Sequence, residues 1–233
     1  MFAVSQSVPE EGADLPLARQ TTKSTASAPL RFLALGDSYT IGEGVAESER
    51  WPVQLVDALR VLGYPFAPPE IIARTGWTTG ELASAIHAAV LNPPYELVSL
   101  LIGVNNQYRG CSREEYRAEF TDLLTQAIAF AGGEPGRVLV VSIPDWGVTP
   151  HGERFDRGAI SDDIDAFNAI NRQEAERLGA NYIDVTPISQ GAAEEPDLIA
   201  SDGLHPSGKM YAGWVELALP VAMEALSGYL KLE

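Results

Sequence analysis

Four short segments carry residue types that together suit acyl transfer. They are Gly36-Asp37-Ser38-Tyr39-Thr40-Ile41-Gly42, Thr75-Gly76-Trp77-Thr78, Gly103-Val104-Asn105-Asn106 and Ser201-Asp202-Gly203-Leu204-His205-Pro206. A serine hydroxyl is a weak nucleophile until an imidazole takes its proton, and that imidazole needs a carboxylate to fix its tautomer and stabilise its charged form. Ser38 is the candidate nucleophile, His205 the candidate base and Asp202 the candidate carboxylate. Three residues apart, Asp202 and His205 can face the same way on a turn or a first helical turn. The tetrahedral intermediate also needs donors aimed at its negative oxygen, and loss of one such donor typically costs about 3 kcal/mol of barrier. The Ser38 N–H, the Gly76 N–H and the Asn105 side-chain amide are the candidate oxyanion donors. Glycine allows close backbone approach, and asparagine supplies donors without charge.

Such residues act together only if the fold gathers them. From Leu30 onward, short apolar runs alternate with longer amphipathic segments, the pattern of β-α units and a parallel sheet. Five runs are placed at Leu30 to Leu35, Glu70 to Arg74, Leu97 to Ile102, Arg137 to Ile143 and Tyr182 to Val185. The first three candidate segments follow the first three runs directly, and the fourth lies beyond the fifth. Ligands of such sheets bind outside the carboxyl ends of the strands, so all four segments converge on one edge. Pro52, the pairs Thr78/Glu81 and Ser112/Glu115, and Ser161 before an acidic turn mark expected helix starts. Gly63 is expected to end the first helix, and the last should run from about Ser207 through Leu226, before Gly228. Right-handed crossovers distribute the helices over both faces, which predicts a three-layer α/β/α sandwich around a parallel sheet of about five strands.

Composition narrows the partners. The 233 residues hold 16 basic and 32 acidic side chains, a net charge of −16, with 45% hydrophobic residues. That is enough apolar material for one sizeable core. Few, scattered cations argue against nucleic acid, because phosphate binding rests on clustered Lys and Arg. The negative field also disfavours anionic lipid surfaces, and no apolar run approaches the roughly 20 residues needed to span a bilayer. Cys111 is the single cysteine, so no internal disulfide and no cysteine-based zinc site is expected. Residues 1–29 read as a flexible leader ahead of a domain over 30–233. Glu10, Glu11 and Asp14 stand where a secretory signal would be basic and then apolar, so a cytoplasmic location is expected.

Gly36-Asp37-Ser38-Tyr39 resembles the Gly-Asp-Ser-Leu motif of the GDSL, or SGNH, hydrolases. The family's further invariant glycine, asparagine and histidine have matches in the same order at Gly76, Asn105 and His205. The resemblance runs from about Leu30 to the C-terminus. It implies a flavodoxin-like α/β/α fold and hydrolysis of esters or thioesters through a serine acyl-enzyme, without metal or cofactor. The family includes lysophospholipases, thioesterases, arylesterases and carbohydrate deacetylases. Two residues depart from its pattern: Tyr39 replaces the leucine, and Asn106 replaces the aspartate that usually follows the oxyanion asparagine. The α/β-hydrolase alternative would need a Gly-x-Ser-x-Gly elbow, and Thr40 occupies the place of its second glycine.

Taken singly, Ser38 could cap a helix, Asp202 and His205 could stabilise a turn, and Asn105 could shape a loop. Their joint occurrence at strand ends favours chemistry. Uncharged short-chain esters are the expected substrates. Trp77, Tyr108 and Trp146 fall just beyond strand ends and are candidate pocket aromatics. His151 sits in a long segment, Pro144 to Ile160, able to form a pocket wall or an exposed loop, whereas His87 lies in a predicted helix. The rival from another class is a non-catalytic flavodoxin-like binding module. No Gly-x-x-x-x-Gly-Lys-Ser/Thr run supports phosphate binding on that view.

Overall fold

The computed structural model describes residues 1–3 and 28–229. The leader expected over 1–29 therefore lies almost wholly outside the described residues. Thirteen regular elements follow in the order β1 (Phe32–Gly36), α1 (Ser38–Ile41), α2 (Trp51–Val61), β2 (Glu70–Ala73), α3 (Thr79–Ala88), β3 (Leu97–Leu101), α4 (Val104–Tyr108), α5 (Arg113–Phe130), β4 (Val138–Val141), α6 (Arg157–Leu178), β5 (Asn181–Ile183), α7 (Thr186–Gln190) and α8 (Gly208–Ala225). All strand pairs are parallel, in the order β2-β1-β3-β4-β5.

Every residue of β1, β3 and β4 is buried, while the edge strands β2 and β5 are only half-covered. This explains why the central three are nearly continuous Leu, Val and Ala: helices cover both of their faces. Helices α2 and α8 pack together on one face, and α3, α5 and α6 form the layer on the other. The result is the three-layer α/β/α sandwich. Because β2 and β3 flank β1 on opposite sides, the strand order reverses between β1 and β3. A crevice opens there at their carboxyl ends, with Gly36 paired in register to Leu101.

The caps anchor these helices at the expected places. Thr78 and Glu81 form a capping box at α3, Ser112 accepts from Glu115 N–H at α5, Ser207 accepts from Met210 N–H at α8, and Pro52 sits in the first turn of α2. Gly63, at φ +91°, follows the last turn of α2 in the left-handed region. Ser161 corrects the expectation. Helix α6 begins a turn earlier, because Asp156 caps Ala159 N–H at 3.1 Å and the Arg157 guanidinium is tied to the carbonyls of Gly147 and Val148. Ser161 instead donates to Asp145 at 2.6 Å.

Candidate active site

Strand β1 ends at Gly36, where there is no room for a side chain. A Cβ on Gly36 would collide with the Leu101 carbonyl and the Thr40 side chain. Asp37 then caps α1, its Oδ1 accepting from Tyr39 N–H at 3.0 Å, and the helix closes after four residues at Gly42, φ +69°. Ser38 is thereby the first residue of a helix at the crevice, only 5% exposed.

The fourth segment reaches Ser38 from the far end of the chain. His205 Nε2 lies 3.0 Å from Ser38 Oγ, and His205 Nδ1 lies 2.6 Å from Asp202 Oδ2. Asp202 Oδ1 also accepts the N–H groups of Leu204 (2.9 Å) and His205 (3.0 Å), around a turn that Gly203 makes possible at φ +73°. Burial alone would raise the Asp202 carboxyl, but the bonds from the His205 ring and from these two amides outweigh it and hold it below the usual carboxylate range. An ionised Asp202 places the imidazole proton on Nδ1, which leaves Nε2 free to accept from the serine hydroxyl. The Tyr39 ring packs edge-to-face against His205 with centroids 5.7 Å apart and is backed by Trp214 of α8 at 6.4 Å.

Opposite this group stand the loop before α3 and the short helix α4. Gly76 adopts φ +86°, a conformation that glycine tolerates without strain. Asn105 donates from Nδ2 to the Trp77 carbonyl at 2.9 Å, which fixes the amide and leaves its second N–H available. Arg109 binds the Gly76 carbonyl at 2.6 Å and pairs with Glu81 at 3.3 Å. Gly103 precedes α4 at φ +129°, packed so tightly on Tyr116 and Ile143 that a Cβ would clash with both. Ser38, Gly76, Asn105 and His205 all border one cavity of about 250 Å³.

Of the three aromatic candidates, Tyr108 and Trp146 line this cavity and Trp77 does not. Trp77 borders a neighbouring groove beside Arg109 and Glu81 and is partly buried against the core. His151 joins the wall. Its ring lies 6.0 Å from that of Trp146 and 5.6 Å from that of Phe155, and its N–H binds the Gly203 carbonyl at 3.0 Å. Trp146 is held by a bond from Nε1 to Gln107 Oε1 at 3.0 Å and meets Tyr108 at 5.6 Å. The segment from Pro144 to Ile160 is thus a wall stiffened by two 3₁₀ turns, Trp146–Val148 and Gly152–Arg154. Thr75, Val104 and Leu204 also border the cavity; each neighbours a residue singled out in the sequence, and adjacency was the only signal for them. His87 is exposed on the last turn of α3, and Cys111 is half-buried away from the cavity.

Asp37, directly beneath the serine, is fully buried. Only its Oδ1 is bonded, and burial pushes its carboxyl up to about 7 against the pull of the Tyr39 N–H. Among the described residues no cluster of three or more His, Cys, Asp or Glu could hold a metal ion, and no helix is long and apolar enough to cross a membrane.

A family model for the GDSL-like lipase/acylhydrolase family matches residues 34–212. The chain belongs to this family. Solved structures similar to this GDSL hydrolase include that of TesA, at 19% identity over 84% of this chain and 99% of that one, with a TM-score of 0.67. The psychrotrophic esterase EstA from Pseudoalteromonas sp. aligns at 19% identity over 84% and 98% of the two chains, TM-score 0.64. Axe2, an acetylxylan esterase from Geobacillus stearothermophilus, aligns at 16% identity over 88% and 97%, TM-score 0.61. No curated protein sequence matches the chain. At such identities the shared property is the fold, and the GDSL hydrolase is described by its own residues.

Proposed function

We propose that the protein is a serine-dependent carboxylic ester hydrolase acting on small, uncharged acyl esters. The observation that carries this reading is the bridging of Ser38 Oγ and Asp202 Oδ2 by one imidazole, at 3.0 and 2.6 Å, on the border of the cavity. In the first half-reaction His205 Nε2 takes the Ser38 proton as Oγ forms its bond to the ester carbonyl carbon. Asp202 stabilises the imidazolium that results. The carbonyl electron pair moves onto oxygen, and the Ser38 N–H, Gly76 N–H and Asn105 amide receive that charge. Collapse expels the alcohol, which leaves with the proton from His205, and an acyl-Ser38 ester remains. Water then repeats the sequence, deprotonated by His205, and releases the acid.

Pocket size supports the short-chain reading. About 250 Å³ is small beside the roughly 300–1,000 Å³ of sites for drug-sized ligands, and Tyr108, Trp146 and His151 wall it. A long acyl chain would have to leave over that wall.

Hydrolysis of p-nitrophenyl acetate and longer homologues, with fluorophosphonate labelling, tests the reading. We expect turnover that falls with chain length, labelling of Ser38, and loss of rate by about 10⁴-fold or more in Ser38→Ala. A folded wild type with neither turnover nor labelling would overturn it in favour of a binding module.

A further inference from the structure

Thr79, the first residue of α3, is fully buried, and its hydroxyl has a partner on each side. Its Oγ1 accepts from Asn106 Nδ2 at 2.7 Å and donates its single proton to Glu119 Oε2 on α5. Its backbone N–H donates to Asn106 Oδ1 at 3.1 Å. Asn106 is itself 2% exposed, so both halves of its amide are spent on one residue. Either side of this contact, Asn105 binds the Trp77 carbonyl and Arg109 binds the Gly76 carbonyl. Helix α4 is therefore tied at three places to residues 76–79, and the buried tie is the one through Asn106.

We propose that Asn106 and Glu119 clamp Thr79 between them and so set the spacing of the Gly76 N–H and the Asn105 amide across the cleft. Both are positioning residues, and their role rests on reading those two groups as the oxyanion donors. The proton count makes the pair a matched set. The hydroxyl has one proton to give, Glu119 takes it, and position 106 must therefore donate. A carboxylate at 106 would set two acceptors about one proton in a buried place, with like charges facing. This accounts for an amide where the family resemblance predicts aspartate. It also predicts that Glu119→Gln, which brings a donor to the opposite side, compensates for Asn106→Asp.

The test compares kcat and KM for p-nitrophenyl acetate, with Tm, in wild type, Asn106→Asp, Glu119→Gln and the double variant. Oxyanion donors act in the transition state, so Asn106→Asp should lower kcat about tenfold or more with KM moved by less than about threefold. Adding Glu119→Gln should recover most of that loss, because its amide donates to Thr79 Oγ1 and the hydroxyl proton turns to the new carboxylate. A folded Asn106→Asp with wild-type kcat, or a double variant whose losses simply multiply, would overturn the clamp while wild-type hydrolysis kept the site's reading intact. If Asn106→Asp does not fold, Thr79→Val removes the shared hydroxyl at nearly constant shape: a fall in kcat at steady KM supports the clamp, and wild-type kcat overturns it. A wild type without hydrolysis overturns the reading of the site, and the clamp's role with it.

Discussion

On one side of the cleft, Asp202 and His205 sit three residues apart and complete their mutual bonds within a single turn; on the other, Gly76 comes from the loop before α3 and Asn105 from helix α4, and side chains reaching across to backbone hold them. The Asp202–His205 pair draws its mutual bonds from local sequence, and its contacts to Ser38, 167 positions away, to the Tyr39 ring and, through Gly203, to His151 are tertiary. The Gly76–Asn105 side is held by tertiary ties that span 27 to 40 positions. A locally determined pair keeps its shape when distant packing shifts. A pair assembled from a loop and a separate helix depends on the packing between α3, α4 and α5.

Substitutions should show that contrast. The largest effect after loss of Ser38 itself belongs to Asp202→Asn: the amide can donate to Nδ1, trap the wrong tautomer and lower kcat by about 10³–10⁴-fold. Tm should change little, because Asp202 is partly exposed. A steady-state profile that kept even a tenth of wild-type kcat would show that the carboxylate is not needed to orient the ring. Asn105→Ala should come next, at about 10²–10³-fold in kcat with KM nearly constant, as for removal of one oxyanion donor. An equal loss in KM would mean that the amide binds ground state and transition state alike.

The smallest effect is on stability, and it depends on pH. Asp37 ionises near 3.8 in the open chain and near 7 in the fold, so its contribution to stability is fully present below about 3.8 and is lost as pH rises toward 7. Asp37→Asn keeps the acceptor for Tyr39 N–H and removes the buried charge. Its Tm should exceed that of wild type at about pH 8 by some 3 °C or more, and by less at about pH 5. An equal gain at both values would show that Asp37 does not titrate in this window.

The same contrast explains what could be read along the chain. The five strands, the capped starts of α2, α3, α5 and α8, and the residues Ser38, Asp202 and His205 were legible because periodicity, caps and the Asp-x-x-His spacing are local signals. Helices α1 and α4, four and five residues long, are too short for a helical period to register. The start of α6 differs from the expected one at Ser161 because Asp156 caps the helix a turn earlier, where Arg157 is anchored on the 146–148 turn. Trp77 lies outside the cavity, and His151 takes the wall position of the two open to it, for a related reason. Which aromatic faces the cleft depends on the turn at Gly76 and on the bond from His151 N–H to Gly203, neither of which has a periodic signature.

The turn carrying Asp202 and His205 is closed by Ala200 N–H on the His205 carbonyl at 2.7 Å and fastened to α8 through the Ser207 cap. The Asp202–His205 pair and the start of α8 are thus built as one continuous segment. The stretch between β5 and Ala200 does not border the cavity, whereas the 144–156 wall does and reaches this turn through His151 N–H on the Gly203 carbonyl. An engineer reshaping the cavity would start at Tyr108 and Val104, which border it from α4 and lie outside this segment.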